Sequence, residues 1–184
     1  MFIRTVDTEL SIALVERSFA QEYFEIVSKE QSYLSQWLAW PPHAKNAEFF
    51  DVFINKSLHD YANGRSLTCG IIYQNELVGN VSFNSINLSL KKIELGYWLS
   101  ESKQGKGIMN RVVSYMLNLA FTDYDIEVVK ICAATQNSAS RAVAEKLGFT
   151  LEGILTNNEN LNGTIVDHAV YSIHKNDWVT GSKA

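Results

Sequence analysis

The apolar pattern of this chain changes period twice between residues 93 and 135, and that change limits the folds open to it. IELGYWLS (93–100) reads as a β-rich run. Met109, Val112, Val113, Met116, Leu117, Ala120 and Phe121 then recur at i, i+3, i+4, i+7 and i+8 as one stripe. Asn110, Arg111, Ser114, Asn118 and Thr122 fall off it. That is a helix buried along one face. VVKICAAT (128–135) returns to a buried strand.

The flanking segments supply the rest of the sheet. FIRTV and LSIALV bracket the polar DTE as two short strands. SLTCGIIY, LVGNVSFNSI and IELGYWLS form an antiparallel meander through the short connections QNE and NLSLKK. FTLEGIL and TIVDHAVYSIHK close the chain around the polar loop TNNENLNG (156–163). Helices are expected over FAQEYFEIVSKEQ and over NAEFFDVFINKSLHDYANG, where Phe49, Phe50, Phe53, Ile54 and Leu58 share helical spacing and Gly64 is the stop. Asn137 is an N-cap for SASRAVAEKL, with Gly148 just past its end. One mixed sheet with helices on both faces, an α/β (α+β) fold, is the economical arrangement. With no linker or repeat in view, residues 1–184 read as one domain.

Composition removes several classes of function. A hydrophobic fraction of 46% and a charged fraction of 20% are those of an ordinary globular protein, and no apolar run reaches membrane-spanning length. MFIRTVDTEL lacks the apolar core and small-residue cleavage site of a signal peptide, so a cytoplasmic protein is expected. A net charge of −4 without any Lys/Arg run gives no reason to expect nucleic acid. Cys69 and Cys132 lie far apart with no CxxC or Cys/His cluster, so neither a metal site nor a disulfide is expected.

The chemistry concentrates at QGKGIM (104–109), between a strand and a helix. Glycine reaches left-handed backbone conformations without cost from a Cβ, so a bare tight turn is one reading. A glycine-rich turn that opens a helix also aims several backbone N–H groups at one point, which attracts phosphate. The spacing is neither that of a Walker A loop nor that of a dinucleotide fingerprint, which needs glycine at Asn110.

QGKGIM resembles the Q/R-x-x-G-x-G/A signature of the GNAT superfamily of acyl-CoA N-acyltransferases. NSASRAVAEKLGF (137–149) is similar to its second signature, an Asn opening a helix that ends in Leu-Gly-Phe. EGIL, NGTIVDHAVYS and the Trp-rich YLSQWLAWP resemble the ribosomal-protein N-acetyltransferase branch. The motifs cover nearly the whole chain in order. Met109 stands where the signature has a small residue, so its side chain must point away from the ligand.

The resemblance implies a mostly antiparallel sheet that splays at the cofactor site, acetyl-CoA as co-substrate, and no metal. It places the pyrophosphate on the amides of Gln104, Gly105, Lys106, Gly107, Ile108 and Met109. It places the pantetheine along Trp98 and Leu99, with Asn137 as a hydrogen-bonding partner; Gly96 marks a bulge or close approach there. It makes Ser140 the hydroxyl that protonates the departing thiolate, and Glu159 the carboxylate that takes the amine's proton. Each residue also has a plain structural role: Asn137 as N-cap, Ser140 as a first-turn serine, Lys106 and Glu159 as solvated charges. Glu94 is a competing base. Trp37 and Trp40 belong to the core or to the acceptor wall, and of the four histidines only His168 stands out.

The implied activity is acetyl transfer to an amine, foremost the N-terminal α-amine of a ribosomal or other protein. A small amine (polyamine, amino sugar or antibiotic) is the alternative acceptor, and a CoA-binding regulatory module without turnover is the alternative class. No membrane or nucleic acid partner is expected, and a homodimer is left open.

Overall fold

The computed structural model of the protein describes residues 2–181. The chain opens with a strand pair, β1 (Ile3–Thr5) and β2 (Leu10–Leu14), followed by the helices α1 (Phe19–Lys29), α2 (Gln31–Leu34) and α3 (Ala47–Ala62). The meander is β3 (Leu67–Tyr73), β4 (Glu76–Asn87) and β5 (Lys92–Leu99). Then come α4 (Ile108–Thr122), β6 (Val128–Ala134), α5 (Ser138–Lys146), β7 (Thr150–Leu161), β8 (Thr164–His174) and a short α6 (Lys175–Gly181). All eight strands join one sheet in the order β1-β2-β3-β4-β5-β6-β8-β7. Among the described residues only β5 and β6 pair in parallel, because α4 carries the chain back across the sheet between them.

Two apolar layers follow from the helix stripes. Val112, Val113, Met116, Leu117 and Ala120 of α4 are fully buried against Phe83, Ile93 and Leu95 on one face. Each of the Val, Met and Leu side chains contributes about 1.5–3 kcal/mol over an exposed one. On the other face Phe19, Tyr23 and Val27 of α1 meet Phe50 and Ile54 of α3, and these two helices lie against β3 and β4.

Three local features differ from the sequence expectation. TNNENLNG is not a loop: β7 runs on to Leu161 and turns through Asn162 (φ 53°) and Gly163 (φ 97°). A two-residue hairpin turn requires positive φ at both central positions, and Asn-Gly supplies it. Polar residues are tolerated because nearly all of β7 is solvent-exposed. The register passes from Leu155↔His168 to Glu159↔Val166, so residues 156–158 bulge opposite Asp167. The Asp167 carboxylate accepts from the Asn157 N–H at 2.8 Å and holds that bulge. The first long helix breaks at Glu30, and α6 adds a turn of helix where a strand end is expected.

The parallel ladder determines where a site forms. It covers only Lys92↔Val128 to Leu95↔Ile131, although β5 continues to Leu99 and β6 to Ala134. Opposite this point β4 carries a bulge at Asn84, whose side chain occupies the space over Gly96; a Cβ there would stand 2.5 Å from Nδ2. A bulge bends and twists its strand pair. The tails of β5 and β6 accordingly separate, and the sheet opens.

Candidate active site

A cleft of about 1450 Å³ fills the opening. The turn before α4 and the start of α5 bound one side; Trp37, Trp40, α3 and the β7 bulge bound the other.

The turn presents unpaired backbone amides to the cleft. Gly105 (φ 72°) and Gly107 (φ 69°) are both left-handed, and a Cβ on either would meet no protein atom within 4 Å. Their need for glycine is therefore conformational, and the space above them is open. Among the described residues no oxygen accepts from the N–H groups of residues 105–110, and α4 has no side-chain cap. Free amides at the positive end of a 15-residue helix favour a phosphate. The Lys106 ammonium turns away, 5.7 Å above the Tyr73 ring. Lys103 lines the cleft instead, paired with Glu76.

Beyond the turn, the unpaired tail of β5 presents its backbone around Trp98 and Leu99 to the cleft. Asn137 caps α5 by accepting from the Ser140 N–H at 3.1 Å, which leaves its amide nitrogen free to donate. Tyr97 OH lies 3.1 Å from Ser140 Oγ and 3.1 Å from the Ser140 carbonyl oxygen, to which it donates. Burial pushes the Tyr97 phenol up to about 12, although the contact with Ser140 opposes the shift. Tyr97 is a neutral hydroxyl throughout the physiological range.

Across the cleft, Glu159 Oε2 and His168 Nε2 are 3.1 Å apart. The bulge brings them together: it places Glu159 diagonally across the ladder from the buried face of His168, two rungs on rather than four. Glu94 lies beside its ladder partner Lys130, Oε2 to Nζ 3.7 Å. Cys132 also lines the cleft, and burial raises its thiol above the ordinary range.

Residues 10–150 match the family described as the acetyltransferase (GNAT) domain. The chain belongs to the GNAT acetyltransferases. A relative from Bacillus subtilis, the putative ribosomal N-acetyltransferase YdaF, is 30% identical over 97% of this chain and 98% of its own. The solved structure of RimL, a ribosomal L7/L12 alpha-N-protein acetyltransferase in complex with coenzyme A, superposes with a TM-score of 0.91. It is 31% identical and covers 95% of this chain and 99% of RimL. The microcin C7 self-immunity acetyltransferase MccE, solved with acetyl-CoA and AMP, gives 0.88 at 31% identity over 92% and 94% of the two chains.

In this GNAT enzyme the cleft brings together Trp98, Leu99, Gln104, Gly105, Gly107, Ile108, Met109, Asn137, Ser140 and Glu159, all named from sequence. Lys106 contributes its backbone to the turn but not its side chain to the cleft. Met109 is only 8% exposed and packs with the core face of α4, so most of its side chain lies away from the turn. Trp37 and Trp40 both line the cleft, and Trp40 packs on Trp98 with ring centroids 6.0 Å apart. Tyr97 was missed: its place on β5, two residues before Leu99, was visible, but its reach to a helix 43 residues later was not. The residues fit coenzyme A, since open amides stand where its phosphates need donors and an unpaired strand stands where its amide-bearing arm needs partners. Among the described residues no group of three His, Cys, Asp or Glu side chains is placed to hold a metal ion.

Proposed function

We propose that this enzyme acetylates the N-terminal α-amine of a protein, a ribosomal protein foremost, with acetyl-CoA as donor, in the cytoplasm. The amides of residues 105–110 hold the pyrophosphate, while the β5 tail and Asn137 hold the pantetheine. The bound thioester supplies the activated acetyl group. Glu159 takes the proton from the attacking amine, and His168 orients its carboxylate from 3.1 Å. Ser140 Oγ holds a proton for the leaving group, and the Tyr97 hydroxyl 3.1 Å behind it positions the Ser140 side chain.

The observation that carries the acceptor class is the state of the cleft's carboxylates. Asp60 is paired with Lys56, Glu94 with Lys130 and Glu159 with His168. A polyamine needs a row of uncompensated carboxylates, and among the described residues lining this cleft only Glu159 lacks a permanently charged partner. A single amine on a neutral peptide suits it better. YdaF and RimL, whose names carry ribosomal acceptors, support the same reading.

A thiol-release assay with acetyl-CoA tests it across three acceptor classes: peptides with ribosomal-protein N-termini, polyamines and aminoglycosides. Turnover is expected on the peptides. Turnover confined to a small amine overturns the acceptor assignment, and no turnover on any class favours a binding module.

A further inference from the structure

The segment from Glu30 to Trp40 is fastened at points that the acetyl-transfer chemistry does not require. At its start the Glu30 carboxylate accepts from Ser100 Oγ at 2.6 Å and from the Glu101 N–H at 2.8 Å, immediately ahead of the phosphate turn. One helical turn later Tyr33 OH accepts from the side-chain amide of Gln104, the first residue of that turn. At the other end Asn162 Nδ2, on the β7–β8 hairpin, donates to the carbonyl oxygens of Ser35 (3.2 Å) and Leu38 (3.3 Å). Along this segment Tyr33, Trp37, Leu38 and Trp40 line the cleft, whereas Glu30 and Asn162 do not. The segment therefore bridges the turn that takes the phosphates and the hairpin that carries Glu159.

The two ends differ in strength. Glu30 makes short, charge-assisted bonds, and its partner Ser100 is buried. Asn162 makes long, neutral ones on the surface. Between them the Ser35 hydroxyl is buried without a hydrogen-bond partner among the described residues. An unsatisfied buried hydroxyl is a cost that a small shift of the segment can relieve. The strap is firmly tied to the turn and lightly tied to the hairpin.

We propose that Glu30 and Asn162 are positioning residues that hold residues 30–38 as a strap, so that coenzyme A on the turn stiffens the wall against which the acceptor lies. This rests on the turn being the coenzyme A site. An anion that orders residues 101–107 orders the Glu101 amide and the Gln104 side chain, and these are the groups bonded to Glu30 and Tyr33. Order at the turn thus passes to the strap without any contact between coenzyme A and Glu30. By linkage, an acceptor that settles the strap tightens coenzyme A by the same factor.

Amide hydrogen exchange on the full chain, with and without coenzyme A, reads this directly. In the wild type, coenzyme A slows exchange over 101–110 and also, by about fivefold or more, over 31–40. Glu30→Gln keeps the size and loses the charge; slowing over 101–110 persists while slowing over 31–40 falls below about twofold. Asn162→Asp keeps the left-handed turn and removes the donor; the loss is confined to 35–40. Both variants raise the acceptor KM with kcat retained, which a loss of general stability does not do. Full slowing over 31–40 in both variants, or a wild type whose protection stops at residue 110, overturns the inference and leaves the coenzyme A site standing. Unchanged exchange throughout the wild type removes that site, and this inference with it.

Discussion

Replacing Gly107 with alanine separates backbone strain from ligand contact, because the structure contains its own control. Gly107 has φ 69° and Gly64, at the end of α3 and outside the cleft, has φ 67°; a Cβ on either meets no protein atom within 4 Å. An L-residue in that region costs about 1–2 kcal/mol, so both substitutions carry the same penalty. For a chain of this size each lowers Tm by about 2–8 °C. Only at residue 107 does the new methyl enter the space above the free amides of residues 105–110. Coenzyme A affinity is expected to fall at least about tenfold in Gly107→Ala, a loss of about 1.4 kcal/mol, and less than about twofold in Gly64→Ala. Isothermal titration of coenzyme A into both variants, well below their melting temperatures and with melts on the same samples, measures both effects. Matching affinities at matching Tm losses refute the phosphate assignment of residues 105–110; the Gln104 N–H, expected from sequence to join them, is already bonded to the Glu101 carbonyl oxygen.

Glu159→Gln should slow transfer to a peptide α-amine about tenfold to a hundredfold at pH 6.5, with the deficit shrinking as pH passes the amine's own pKa of about 8. Glu94→Gln should be milder because Lys130 already engages that carboxylate; the reverse order in pH–rate profiles transfers the role to Glu94. Ser140→Ala should lower kcat about a hundredfold with the KM for acetyl-CoA within about twofold, and an equal loss in both leaves Ser140 as a binding or helix-start residue only. Burial pushes the Cys69 thiol up to about 12 from 9.0, so the folded state holds a proton that the unfolded chain releases. Stability is therefore lost as pH rises from about 9 toward 12, and denaturant titrations of Cys69→Ala should show a flatter decline; an unchanged slope overturns that cause.

What could be read from sequence was local. The stripe from Met109 to Phe121 announces α4 because helical period needs no partner to be visible. Asn137 as a cap and the left-handed glycines of QGKGIM follow from residues within one turn of each other. The pairs that make a site out of these elements are not local. Glu159 meets His168 only because three residues bulge out of β7, and no composition reveals that count; the polar content of TNNENLNG reads as loop while its Asn-Gly end is a hairpin signal. Tyr97 finds Ser140 across 43 residues, and Glu30 finds Ser100 across 70, through packing that no short window contains. The insertion of β8 between β6 and β7 is likewise a matter of which edge is free when the last hairpin docks.

The parting of β5 from β6 also bears on how the protein keeps itself from aggregating. Unpaired strand backbone is adhesive, and this sheet has it at four places: two outer edges and the two facing tails within. The outer edges are blunted by different means, β1 by being three residues long and β7 by its bulge. The inner tails need neither, since they lie recessed between α4, α5 and the strap, at a depth a narrow flexible chain enters and a neighbouring sheet does not. The enzyme can thus keep a bare strand for its small co-substrate while denying it to other proteins, a selectivity that comes from recess rather than from any side chain.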